Sequence, residues 1–216
     1  MLPVMVSYLN FVKNLLLMVQ KLGWKRIISC LFIIIVLLMP LKLLVFSQPY
    51  YAKLFSEYGT YERVENADNL SVEIISFFRG GELGNEFSEN EKDHMSDVRS
   101  LINALSIILY ISAAMILVYF TINAKHDELI SILKKGATYS IIAVISIFVL
   151  TIPFSYFFDA FHNVFFPQGN WQFPFDSTLI KLFPEEFFQR FLFDSLLLSA
   201  LTAVMLLILG LLLDKI

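Results

Sequence analysis

Residues 157–188 read FFDAFHNVFFPQGNWQFPFDSTLIKLFPEEFF. Phenylalanine crowds this stretch, yet Asp159, His162, Asn163, Trp171 and Asp176 interrupt it. One apolar run, 137–158, leads into it and another, 191–213, leads out. Aromatic sequence between two spans belongs at a bilayer surface, where rings with one apolar and one polar side are favoured. The stretch therefore places its neighbours in a membrane. His162 sits in the middle of it.

Two more apolar runs complete the pattern, 27–46 and 101–122. Each is long enough to cross about 30 Å of hydrocarbon as a helix. Of the 216 residues, 57% are hydrophobic and only 16% charged, which excludes an ordinary soluble domain. The net charge of −3 argues against a nucleic-acid partner. A single cysteine, Cys30, excludes an intrachain disulfide, a CxxC redox pair and a thiolate metal cluster. No cleavage-site pattern follows the first run, so it reads as an uncleaved anchor. Residues 2–22 place Ser7, Asn10, Lys13, Asn14, Gln20 and Lys21 on one side of a helix, the pattern of an amphipathic helix lying on the membrane surface. The expected fold is an all-α membrane protein. It comprises four transmembrane helices, an N-terminal interfacial helix and two outer-facing loops, about 48–98 and 159–190, within a single integral membrane domain.

Charge sets the expected orientation. Lys13, Lys21, Lys25 and Arg26 precede the first span, and Lys125, Lys134 and Lys135 lie between the second and third. The long loop carries an excess of acids. The positive-inside rule then puts both termini and the short turn in the cytoplasm, with both long loops outside.

The 48–98 loop is too long to be structureless. Leu70, Ile74, Phe77 and Phe78 follow helical spacing, with Gly80 and Gly81 as a stop. Ser88 and Glu91 form a capping box, starting a helix that runs through His94, Asp97 and Arg99 into the second span. The third span is expected to kink at Pro153 and to continue through Asp159 and His162 until Pro167 blocks it. Pro184 suits a first helical position, with Glu185 and Glu186 behind it.

A short turn makes spans two and three antiparallel neighbours. His94 and His162 each lie 34 residues from Glu128 (128 − 94 and 162 − 128), near the middle of that turn. Equal counts at about 1.5 Å per residue mean nearly equal heights. Each histidine also has an acid three residues away on its own helix, Asp97 and Asp159. Such a carboxylate can fix a tautomer and support the charged imidazole. The bland alternative is two interfacial histidines bonded to headgroups. Trp171 reads as a headgroup-level anchor. Spans two and three carry no charge, which argues against a transporter or proton relay and for chemistry at the surface.

Two stretches, FSENEKDHMSDVRSL at 87–101 and FDAFHNVFFPQGNWQFPFDSTLIKLFPEEFF at 158–188, resemble the signature regions of the Lit family, four-span lipoprotein intramolecular transacylases. The order of spans and loops is similar too. The resemblance implies transfer of an acyl chain from the sn-2 glycerol ester of a diacylglyceryl-modified lipoprotein to its N-terminal cysteine amine. It implies no cofactor, and it matches His94 and His162 to two outer-facing histidines. Asp97 and Asp159 would orient them. Arg99 and Arg79 are candidates for binding phosphate-like or carbonyl oxygens, and Asn163 is a candidate oxyanion donor. Two other readings stand beside this one. One is a metal-dependent membrane hydrolase using His94, His162, Asp93, Asp97 and Asp159. The other is a non-enzymatic membrane scaffold or lipoprotein-binding protein.

Overall fold

A computed structural model describes residues 23–123 and 125–215. The amphipathic helix expected over 2–22 lies outside the described residues. Within them the regular structure is all helix, joined by turns and loops, with no strand. Four helices are long and apolar enough to cross a membrane. They are α1 (Trp24–Val45), α5 (Glu89–Asn123), α6 (His126–Leu150) and α9 (Glu185–Leu213). Between α1 and α5 lie α2 (Gln48–Glu57), α3 (Thr60–Arg63) and α4 (Ala67–Phe78). Between α6 and α9 lie α7 (Phe154–Phe165) and α8 (Thr178–Leu182).

The bundle is arranged around α1, which packs against α5, α6 and α9. This corrects the expectation that the second and third spans lie side by side. Their main packing partners are other helices, because α1 is wedged against both. Gly136 on α6 explains the fit. A Cβ there would stand 2.8 Å from the Phe32 ring of α1, so only glycine lets the ring in. Phe32 also meets Phe120 of α5, 6.3 Å between ring centres. Small residues at such contacts let membrane helices approach closely.

The connection between α5 and α6 is also shorter than expected. Helix α6 begins at His126, so Lys134 and Lys135 are helical rather than in a turn. Lys134 lays its stem over Gly210 of α9 and pairs with Asp214 at 2.8 Å. Glu128 draws the neighbouring elements together. It accepts from Tyr119 at 2.8 Å and pairs with Lys25 at 3.0 Å.

At the opposite end, α2, α3 and α4 form a cap. Helical spacing in the sequence marks α4 but neither α2 nor α3. The apolar face of α2 (Tyr51, Leu54 and Phe55) is buried with Leu70, Ile74 and Phe78 of α4. Leu179, Leu182, Phe183 and Phe187 of the aromatic segment join the same core. The segment at 157–188 is therefore partly core and only partly surface.

The capping box at the start of α5 is present. Glu91 accepts from the Ser88 backbone N–H and hydroxyl, both at 2.8 Å, while the Glu91 N–H donates to Ser88 Oγ at 3.4 Å. The same carboxylate accepts from the Leu179 N–H at 2.7 Å. Glu91 is 2% exposed, so its loss strands a buried backbone donor. Glu91→Ala should destabilise the protein by about 1–3 kcal/mol. Thermal unfolding in detergent measures this, and an unchanged midpoint would contradict it.

Candidate functional site

Pro153 breaks the third span instead of kinking it. Helix α6 ends at Leu150 and α7 starts afresh at Phe154. Proline lacks an N–H and its ring clashes with the preceding turn, and here the chain resolves the conflict by changing direction. Helix α7 then carries His162 towards the start of α5. Pro167 stops further helix just beyond Phe165.

The two histidines meet. Their ring centres are 6.2 Å apart and their planes 27° from parallel. His94 is 8% exposed and His162 9% exposed, so neither is an ordinary surface histidine. Phe166 and Phe173 stand edge-on to His94 at 4.8 and 5.6 Å. Phe158 and Trp171 lie against His162 at 4.1 and 4.7 Å. Trp171 thus packs on the site rather than acting only as an anchor.

His162 Nδ1–H donates to the Phe158 carbonyl at 2.8 Å. A carbonyl can only accept, so the proton of the neutral ring is on Nδ1 and Nε2 holds the free lone pair. That is the tautomer a base requires. Both histidines lie outside the apolar spans. Burial first, and the neighbouring His162 charge second, together lower the His94 pKa from 6.5 to about 4. Asn170 and Asp97 oppose the shift. Burial also lowers His162, against the Phe158 carbonyl and Asp159. At neutral pH both rings are uncharged, and a charge on His162 disfavours one on His94.

Both shifts make stability depend on pH. A histidine whose folded pKa is depressed binds fewer protons folded than unfolded, so stability is full above the unfolded pKa and falls as pH drops. For His94 the window runs from 6.5 to about 4. The thermal midpoint should therefore fall as the pH is lowered across this window. A His94→Gln variant should lose less. Melting curves at graded pH test this, and parallel curves for both proteins would refute it.

The acids favour the charged rings as expected, but neither hydrogen-bonds to its imidazole. Asp97 does not hydrogen-bond to His94. It accepts instead from Gln168 Nε2 at 2.6 Å and Asn170 Nδ2 at 2.7 Å, strapping the segment after α7 onto α5. Gly169 lies between the two amides with φ of 76°, a conformation only glycine adopts without strain. Sequence reasoning does not single out Asn170. Its Oδ1 and His94 Nδ1 are both buried without a well-formed partner, and the amide is close enough to raise the His94 pKa. Asn170 is thus held by Asp97 and lies beside His94 without a hydrogen bond to its ring. Only its place between Gly169 and Trp171 could have signalled this.

The remaining candidates lie away from the ring pair. Asp159 and Asn163 are exposed and make no side-chain hydrogen bond among the described residues. Asp159 reaches His162 only through its charge. Arg99 leaves the face of α5 that carries Asp97. Its guanidinium sits 4.1 Å from the Phe77 ring centre and donates to the Gly81 carbonyl at 3.4 Å. Arg79 lies over Phe46 at 5.3 Å. Among the described residues no three His, Cys, Asp or Glu side chains converge as a metal site, so the hydrolase reading finds no ligand set there.

Fold and site define a class: integral membrane proteins of four helices with a buried histidine pair at one end. The family model "Lipoprotein intramolecular transacylase Lit" matches residues 26–188. The chain belongs to that family, whose members are transferases that move an acyl group within a lipoprotein. A solved structure of Lit from Bacillus cereus is similar, with a TM-score of 0.77 at 18% identity, covering 88% of this chain and 96% of that one. A variant of the same Bacillus cereus protein with a histidine replaced by arginine gives 0.75 at 16% identity, covering 97% and 95%. A histidine-to-alanine variant also gives 0.75 at 16%, covering 97% of both chains. No protein with curated function matches this chain at the sequence level.

Proposed function

We propose that this protein moves the sn-2 acyl chain of a diacylglyceryl-modified lipoprotein to the α-amine of its N-terminal cysteine, with His94 and His162 as the reacting pair. The observation that carries this reading is the 6.2 Å approach of two buried imidazoles in an aromatic pocket. A scaffold would leave them facing lipid or water.

The chemistry is balanced within one substrate. The amine nitrogen attacks the ester carbonyl, a C–N bond forms and the bond between the acyl carbon and the glycerol oxygen breaks. The proton lost by nitrogen ends on the glycerol oxygen. An α-amine with a pKa near 8 is mostly protonated at neutral pH, so it first sheds one proton to solvent, and the neutral amine loses its second proton to the base as it attacks. His162 Nε2 is the base, since its Nδ1–H is held by Phe158. The protonated ring then returns the proton to the leaving oxygen. His94 is held neutral beside that charge and is left to hydrogen-bond the carbonyl oxygen as it becomes an oxyanion. No acyl-enzyme is needed, since one substrate carries both the amine and the ester.

The bilayer side is marked by exposed apolar residues on and beside α7, including Ile152, Tyr156 and Val164. We place this end outside the cell and both termini in the cytoplasm, on the lysine and arginine distribution. Membrane lipids surround α7, and acyl chains would lie along its phenylalanines. Mass spectrometry of a lipoprotein N-terminus is the direct test. Purified protein in lipid should convert a diacylated lipopeptide into its N-acyl lyso form. Recovery of unchanged substrate would refute the proposal.

A further inference from the structure

Beside the histidine pair lies a second feature that acyl transfer leaves unused. A cleft of about 650 Å³ opens between the start of α5 and the segment 168–178. It is large enough for a ligand of several residues. Asn170 and Phe173 belong to its wall, and Phe173 is also the ring edge-on to His94. The cleft and the site therefore share a partition.

The lining is polar, unlike the aromatic pocket. Asn85, Asn90 and Gln172 line it and are exposed, and their side chains form no hydrogen bond among the described residues. An amide side chain both donates and accepts, so it can pair with either backbone group of an extended peptide. Glu86, Glu91 and Asp176 are the charged residues of the lining, with no cation among them. Glu91 is committed to Ser88 and Leu179, whereas Glu86 and Asp176 make no ion pair among the described residues. The cleft is thus a negatively charged, amide-rich channel next to the reacting centre.

We infer that this cleft binds the polypeptide that follows the lipidated cysteine, in extended form, and favours neutral or basic residues there. The inference rests on the acyl-transfer reading. The cysteine amine must reach the histidines, while the chain behind it cannot enter the apolar pocket without burying unpaired backbone groups. A polar channel sharing a wall with the site satisfies those groups. Backbone pairing by the amides allows many sequences, and the two free carboxylates bias the choice by charge.

The test compares two synthetic substrates with the full-length protein in lipid vesicles. One is a diacylglyceryl-cysteine amide. The other is a diacylglyceryl lipopeptide with several residues after the cysteine, made in lysine-rich and glutamate-rich versions. An Asn90→Ala/Gln172→Ala double variant should raise KM for the lipopeptides by about 3–10-fold, the size of one or two lost hydrogen bonds. Its kcat, and its KM for the cysteine amide, should not change. The native protein should favour the lysine-rich version at low salt, and Glu86→Lys/Asp176→Lys should invert that preference. Equal KM changes for both substrates, or no change for either with the charge preference unmoved, would overturn the cleft as a peptide site. If the native protein turned over neither substrate, the acyl-transfer reading would fall and the peptide site with it.

Discussion

His162→Ala should abolish most acyl transfer, lowering kcat by about 10²–10⁴-fold, the usual contribution of a positioned acid–base group. The loss should appear in kcat with little change in KM, because Nε2 acts only as the amine is deprotonated. His94→Ala should cost a similar order, since an oxyanion donor is worth about 10²–10³-fold. Fold should survive in both variants, and the Bacillus cereus relative keeps its architecture with a histidine replaced by alanine. The double variant should be scarcely worse than His162→Ala, because residues that act as a unit are not additive. Single-turnover assays with a diacylated lipopeptide decide the matter. A His162→Ala protein working at native rate would remove the histidine mechanism.

Asp97→Ala should also be damaging, though less so, and for a different reason. The Asp97 carboxylate holds both Gln168 and Asn170. Hydrogen bonds to a charged group contribute about 1.5–3 kcal/mol each, so the strap should come loose. Phe166 and Trp171, which flank that segment and wall in the rings, would lose their fixed positions. The expected result is a 10–100-fold fall in kcat, on the order of the loss that misplacing a catalytic constellation brings. Asp97→Asn keeps an acceptor oxygen and should recover part of the activity. Asn170→Ala should fall between the two, since it removes one of the two hydrogen bonds of the strap. An Asp97→Ala enzyme with native kcat would show that the strap has no role in positioning.

The long-range features are legible where physics is local or additive. Apolar run length locates four spans, and a serine and a glutamate at capping-box spacing locate the start of α5. Counting residues along two limbs puts His94 and His162 at one height, and the rings do meet. The premise of that count is only partly right. It takes the two spans to be adjacent, whereas α1 is packed between them, and a hairpin count cannot see a third helix. Nor can it foresee that Pro153 ends a helix, because a proline kink and a proline break look alike until the packing beyond the proline is known. Spacing along α5 pairs Asp97 with His94. The real partners of Asp97 sit more than seventy residues away, at Gln168 and Asn170, and amide side chains in a loop have no periodicity to reveal them. Arg79 and Arg99 stand out in the sequence by charge alone. The rings that hold them, Phe46 and Phe77, are legible there only as apolar residues of the first span and of α4.

The gap between α6 and α7 also bears on how the protein meets bilayers of different thickness. A spanning helix answers a mismatch with the hydrocarbon by tilting. Were the third span continuous, every degree of tilt would be levered onto His162 at its tip. With the helix interrupted at Thr151–Pro153, α6 can lean while α7 keeps His162 beside His94. The tie from Glu91 to Leu179 and the strap from Asp97 then hold the rings in register by themselves. The reacting geometry is anchored to the cap, and the membrane beneath it is free to vary.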